Sequence, residues 1–291
     1  MKIDDWFYWR IAQPRHSHFI EVDGAQIHYQ TWNQTDDKPV LLFVHGHAAH
    51  SHWWDFIAPA FTDDYCVAAM DMSGAGDSDH RPAYYATGFA NEIRAVASKL
   101  GGAATVVGHS FGGSMTRIAG WQDHQQHDIS QIVILDSAIS RERVMRAPLT
   151  SPAERIRYYP SLEQGMRRFR LRPPQPCANK HLLAYIASHS LRRDKNGYVF
   201  KLDQHVFAKM PEEPGEPLPD SATMIEQTRC PVGFIYGAES RFFPAEKIAL
   251  LETLIAPDRL VRINQAWHHL FLDQPGAFTE ELKKLLSRMS R

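Results

Sequence analysis

Three cysteines in 291 residues, Cys66, Cys177 and Cys230, are an odd number with no C-x-x-C spacing. That excludes a disulfide framework and fits free thiols in a reducing compartment, so a cytoplasmic location is expected. No apolar run approaches the roughly 18 residues that crossing a bilayer takes. The opening "MKIDDWFYWRIAQPR" carries acids early and lacks an apolar segment, so it does not read as a secretory signal. Without secretion the Asn33-Gln34-Thr35 triplet is an idle glycosylation site. Charge of one sign is missing too: 32 Lys and Arg stand against 33 Asp and Glu, a net −1. The whole chain therefore offers no electrostatic footing for nucleic acid or an anionic membrane. Internal repeats and low-complexity tracts are also missing.

What is present is ordinary globular material, 44% apolar and 22% charged. A chain this long buries about 75% of its unfolded surface and needs no staples. One oddity is "WFYW" at 6–9. Three readings are open: an interfacial membrane anchor, a homodimer patch, or aromatics packed on the chain's own surface. The last is the plainest.

"HFIEVDGAQIHYQTW" alternates apolar and polar residues around Asp23-Gly24, the mark of an antiparallel hairpin. Short apolar runs follow at 40–44, 66–70, 104–108, 132–136, 232–236 and 259–263, most of them without alternation. Strands covered on both faces read that way. Helical patterns at 87–100, 111–121, 244–255 and 276–288 separate them. Strand and helix in turn predict a mostly parallel sheet between two helical layers, an α/β fold.

The rhythm breaks between Asp136 and Val232. Residues 140–228 hold 10 of the 18 prolines and helix-like pieces ("RERVMRA", "SLEQGMRRFRL", "KHLLAYIASHSL"). They are expected to form a helical cap inserted into a core of 1–139 and 229–291. From 140 to 211 there are 15 Lys and Arg against 5 Asp and Glu. Such a surplus either attracts an anionic substrate or lies on solvated side chains whose stems cover apolar surface.

"ATVVGHSFGGSM" sets Gly108-His109-Ser110-Phe111-Gly112 between a strand and a helix. G-x-S-x-G alone arises by chance in about one chain in ten of this length, so context decides. A serine at a tight strand-to-helix turn is held in a strained conformation that lifts its hydroxyl above the sheet edge. Glycine two positions before and after avoids collision there. Serine needs a base to attack and donors for the oxyanion that forms. After "LLFVHGH" turns at His45-Gly46, the amide of His47 can face the serine, with the amide of Phe111 as second donor.

The histidines at 45, 47, 50 and 52 invite a metal reading. They have no nearby cysteine or carboxylate at a familiar spacing, and serine chemistry needs no metal. No metal and no cofactor is expected.

With "FVHGH", "MDMSGAGDSD", "GHSFGG" and "WHHLFLDQP" in this order, the chain resembles the α/β-hydrolase superfamily over nearly its whole length. The resemblance implies an eight-stranded, mostly parallel sheet, with a helical cap after strand 6 and a Ser–acid–His triad. Counting back from Pro275 places the catalytic histidine at His268, with His269 as rival and Trp267 where glycine is usual. Most of the superfamily carries the acid three residues after the glycine ending the seventh strand. Here that glycine is Gly237 and the position is Ser240, which lacks a carboxylate. Two acids remain: Glu239, one residue early, and Asp136 at the end of strand 6. Some members, among them a group of haloalkane dehalogenases, use the latter place. Asp136 is the preferred assignment and Glu239 the alternative.

Epoxide hydrolases and haloalkane dehalogenases of this fold attack with aspartate, so Ser110 argues against both. The expected function is hydrolysis of a carboxylic ester or lactone, a small-molecule substrate. Hydrolytic C–C cleavage of a meta-cleavage-type diketone is the alternative. Ser240 also leaves room for a non-catalytic small-molecule receptor.

Overall fold

Val40–Val44 is apolar at every position because it is buried at every position. The computed structural model describes residues 3–35, 37–123, 127–142 and 156–290. The strands are β1 His16–Val22, β2 Ala25–Thr31, β3 Val40–Val44, β4 Cys66–Met70, β5 Ala104–His109 and β6 Ile129–Leu135, then β7 Leu191–Asp194, β8 Gly197–Phe200, β9 Val232–Gly237 and β10 Leu260–Ile263. The helices are α1 Ile3–Ile11, α2 Ala86–Lys99, α3 Phe111–Gln122, α4 Leu162–Met166 and α5 Lys180–His189, then α6 Ser221–Gln227, α7 Ala245–Leu254, α8 Leu270–Asp273 and α9 Pro275–Met289. Eight strands form one sheet in the order β1-β2-β4-β3-β5-β6-β9-β10. β1 and β2 run antiparallel to the neighbour that follows them in that order, and the other pairings are parallel.

Alternate residues along each central strand sort into two cores. Leu42, Val44, Val106, Ile132 and Ile134 pack with α2, α3, α6 and α7. Leu41, Phe43, Val107, Val133 and Leu135 pack on the other face with α5, α8 and α9. This double cover is why the strands read as unbroken apolar runs. The parallel pairing sends the strand ends, where polar residues follow, to one edge. The hairpin turn at Asp23-Gly24 has positive φ at both residues (47° and 75°), the geometry of a tight two-residue β-turn.

The segment between β6 and β9 departs from an all-helical expectation. α4 and α5 are there, yet β7 and β8 pair as a separate two-stranded hairpin. Asn196-Gly197 is the turn signal for it. α6 packs against α3 rather than away from the sheet. Most of "RERVMRA" lies outside the described residues. "WFYW" divides: Phe7 is buried against Phe56, His181 and Tyr185, while Tyr8 and Trp9 are 61% and 59% exposed. Among the described residues no helix is long and apolar enough to cross a membrane. All three cysteines are free thiols.

Candidate active site

Parallel strands deliver their following loops to one edge, and three of those loops meet. β5 ends at His109, and Ser110 takes φ 54°, ψ −117° before α3 begins. A serine in this region is strained, at a cost of about 1–3 kcal/mol. The glycines around it are steric requirements. A Cβ on Gly108 would lie 2.7 Å from the Gly112 carbonyl, and one on Gly112 would lie 2.2 Å from the His45 carbonyl.

Asp136 directly follows β6, with φ 44°, and its amide donates to the Ile235 carbonyl of β9 at 2.8 Å. His268 lies on the loop between β10 and α8. Its Nε2 is 2.9 Å from Ser110 Oγ, and its Nδ1 is 2.7 Å from Asp136 Oδ1. The carboxylate only accepts, so the Nδ1 position carries the proton and Nε2 is left to accept from the serine hydroxyl. Asp136 is completely buried. Its burial is offset by three donors: His268, the Ser240 hydroxyl at 2.7 Å and the Gly237 amide at 2.9 Å. Ser240 thus stands as a partner of the acid. The usual acid position and His268 meet on the same oxygen of Asp136, which the linear sequence did not reveal.

Glu239 is not brought into this group. It is exposed, and its backbone amide bonds the Ala266 carbonyl. His269 is buried, and no hydrogen bond links it to Ser110 or Asp136 among the described residues. Burial, with His268 beside it, pushes its pKa down to about 3. His109 is also buried. Its Nε2 donates to the His268 carbonyl at 3.0 Å, and burial holds its ring neutral well below the usual range. Among the described residues, only His268 of the three neighbouring imidazoles has a carboxylate to balance a proton. Sequence reasoning missed the roles of His109, Ser240 and the Phe242 ring, centred 4.7 Å from that of His268.

The loop at His45-Gly46-His47 lies against the strand-to-helix turn at Ser110: a Cβ on Gly46 would approach Ser110 Cβ to 3.2 Å. The ring of Phe207 sits 4.2 Å from that of His47 and 5.5 Å from that of Phe111, tying the two proposed donor residues to one neighbour. His47 is neutral, its pKa lowered to about 4 by burial and by the Arg172 guanidinium. The loop histidines do not converge as a metal set: His45 bonds the Gly46 carbonyl and the Met72 amide, His50 bonds Ser190, and His52 bonds Asp55.

A second Ser–His–Asp chain was not legible in the sequence. Ser17 Oγ is 2.7 Å from His28 Nε2, and His28 Nδ1 is 2.7 Å from Asp71 Oδ2. Its surroundings differ. Ser17 lies inside β1, paired with Gln30, and β1 leads through a tight turn into β2 and not into a helix. Asp71 instead braces the loop after β4, accepting from the amides of Ser51 and Asp77.

A family model described as "Alpha/beta hydrolase family" matches residues 41–281. The chain belongs to the alpha/beta hydrolase family. Among curated relatives it is 33% identical over 115 residues to "Epoxide hydrolase 1" of Caenorhabditis elegans, covering 38% of this chain and 27% of that one. It is 35% identical over 98 residues to a "Serine hydrolase-like protein" of Mus musculus, covering 32% and 31%. These matches span about a third or less of the relatives' own lengths. Similar solved structures include a thioesterase domain from the curacin biosynthetic pathway, with TM-score 0.73, 20% identity and coverage of 94% and 99%. An esterase from Mycobacterium tuberculosis has TM-score 0.69, 21% identity and coverage of 94% and 92%. At these identities the hydrolase structures speak to the fold.

Proposed function

We propose that this alpha/beta hydrolase cleaves a carboxylic ester or lactone through an acyl-enzyme on Ser110. The observation that carries this is the chain of contacts Ser110–His268–Asp136 at 2.9 and 2.7 Å on a strained strand-to-helix turn. Ser110 Oγ attacks the carbonyl carbon while its proton passes to His268 Nε2. Asp136 holds the ring and stabilises the imidazolium. The amides of His47 and Phe111 receive the oxyanion. As the tetrahedral intermediate collapses, the alkoxide leaves with the proton from His268. Water, deprotonated by the same ring, then releases the acid and restores Ser110.

Residues 140–228 act in this reading as a cap over a core of 1–139 and 229–291. Gln175 supports it, accepting from the His269 amide and donating to Asp273, which in turn accepts from the Trp267 amide. The segment thereby grips the loop that carries the base. Serine at 110, where an epoxide hydrolase of this fold has aspartate, favours acyl transfer over epoxide opening. Ser240 had left room for a receptor; with Asp136 in contact with His268, that position is no gap in the triad.

The test is a panel of p-nitrophenyl esters of varied chain length, lactones and a meta-cleavage diketone. Wild type is run beside Ser110→Ala and Ser17→Ala. Expected is turnover of an ester or lactone that falls by about 10⁴ or more in Ser110→Ala and stays within about twofold in Ser17→Ala. Turnover that survives Ser110→Ala contradicts the proposal. Turnover of the diketone alone moves the reaction to C–C hydrolysis.

A further inference from the structure

A cavity of about 510 Å³ opens beside the oxyanion loop, with Ala48, the residue after His47, in its wall. Its charge is one-sided. Arg157, Arg168, Arg170, Arg172 and Lys201 line it, and among the described residues no Asp or Glu does. Lys201 is neutralised by Asp77 at 2.7 Å, and Arg170 donates to the carbonyls of Arg167 and Phe169. Arg157, Arg168 and Arg172 have no carboxylate partner among the described residues. The sequence left two readings of this positive surplus, solvated side chains or an anion site. All three are exposed, but they border one concavity whose walls also hold Phe169 and Phe200, where arginines on a convex surface would diverge.

We infer that this cavity holds an anionic end of the substrate, so that the compound hydrolysed at Ser110 carries a carboxylate or phosphate group. The inference rests on the acyl-transfer reading for the reaction and on the cavity alone for the charge. Guanidinium groups suit oxyacids because their paired N–H groups match two oxygens at once. Three uncompensated cations in a partly enclosed space raise the local concentration of an anion more than the same charges spread on a flat surface. The Arg172 guanidinium is also felt at His47, helping to hold that ring neutral, so the positive field extends to the oxyanion loop. Phe169 and Phe200 give the carbon chain between the two ends an apolar wall.

The test compares mono-p-nitrophenyl adipate with its methyl-capped neutral isostere. Wild type and the triple variant Arg157→Gln, Arg168→Gln, Arg172→Gln are assayed at low and high salt. The expected result is a kcat/KM preference for the anionic ester of about tenfold or more at low salt, shrinking as salt rises. The triple variant should lose that preference, read as the ratio of kcat/KM for the anionic ester to that for the neutral ester. No preference in wild type, or a preference unchanged in the variant, overturns the inference and leaves the serine chemistry standing. If neither ester is turned over, the acyl-transfer reading fails and calorimetry decides the cavity. Adipate or inorganic phosphate binding wild type at least about tenfold more tightly than the variant upholds the anion site, and equal binding overturns it. Whichever anion binds separates carboxylate from phosphate.

Discussion

Asp136→Asn lowers kcat by about 10⁴ with little change in thermal stability: that is the expected result. The substitution keeps the shape of the side chain and one carbonyl oxygen to accept from the Gly237 amide. What it loses is an acceptor-only group opposite His268 Nδ1, now 2.7 Å away. An amide N–H facing that nitrogen favours the tautomer with the proton on Nε2, and such a ring cannot accept from Ser110. Glu239→Gln is the control. Glu239 is exposed, and its described hydrogen bond is from the backbone. Its variant should retain activity within about twofold. Activity that survives Asp136→Asn and collapses in Glu239→Gln would reverse the assignment of the acid.

Mild acid should destabilise the fold steeply. His45, His50, His109 and His269 are buried, and burial lowers the pKa of each below the ordinary value of 6.5. The sign follows from proton counting. Below pH 6.5 the unfolded chain takes up protons at these four sites more readily than the fold does. The unfolded state then binds more protons, so stability is full above pH 6.5 and falls as pH drops. Each proton fully refused contributes about 1.4 kcal/mol per pH unit. Asp273 opposes this weakly: burial pushes its pKa up to about 6, so its contribution rises as pH falls from about 6 toward 4. Going from pH 7.5 to 5.0 should therefore lower the stability of the fold. Urea unfolding at the two pH values measures it. Equal midpoints would show that these histidines titrate normally in the fold.

Much of this architecture was legible in the residues because it is local. β3, β4, β5 and β9 are apolar runs bounded by turns, and burial on both faces leaves no other pattern for them. The elbow was legible because Gly108, Ser110 and Gly112 share one turn. The acid was harder. Asp136, Gly237 and Ser240 meet only because β6 pairs with β9 across a hundred intervening residues, and no spacing rule encodes that pairing. The hairpin β7–β8 was hidden for another reason: "LRRD" carries three charges in four residues and shows no strand alternation, leaving Asn196-Gly197 as its single clear mark. His28 and Asp71 show the converse. Their geometry imitates a catalytic pair, and only the strand beneath Ser17 and the loop around Asp71 tell the two constellations apart.

The central claim is that the Ser110 hydroxyl is made nucleophilic by His268. A fluorophosphonate probe followed by peptide mass spectrometry tests it most directly. The account predicts one covalent adduct, on Ser110, formed by wild type and lost in both Ser110→Ala and His268→Ala. A folded wild-type protein that takes no label, or an adduct on Ser17 in place of Ser110, would contradict it.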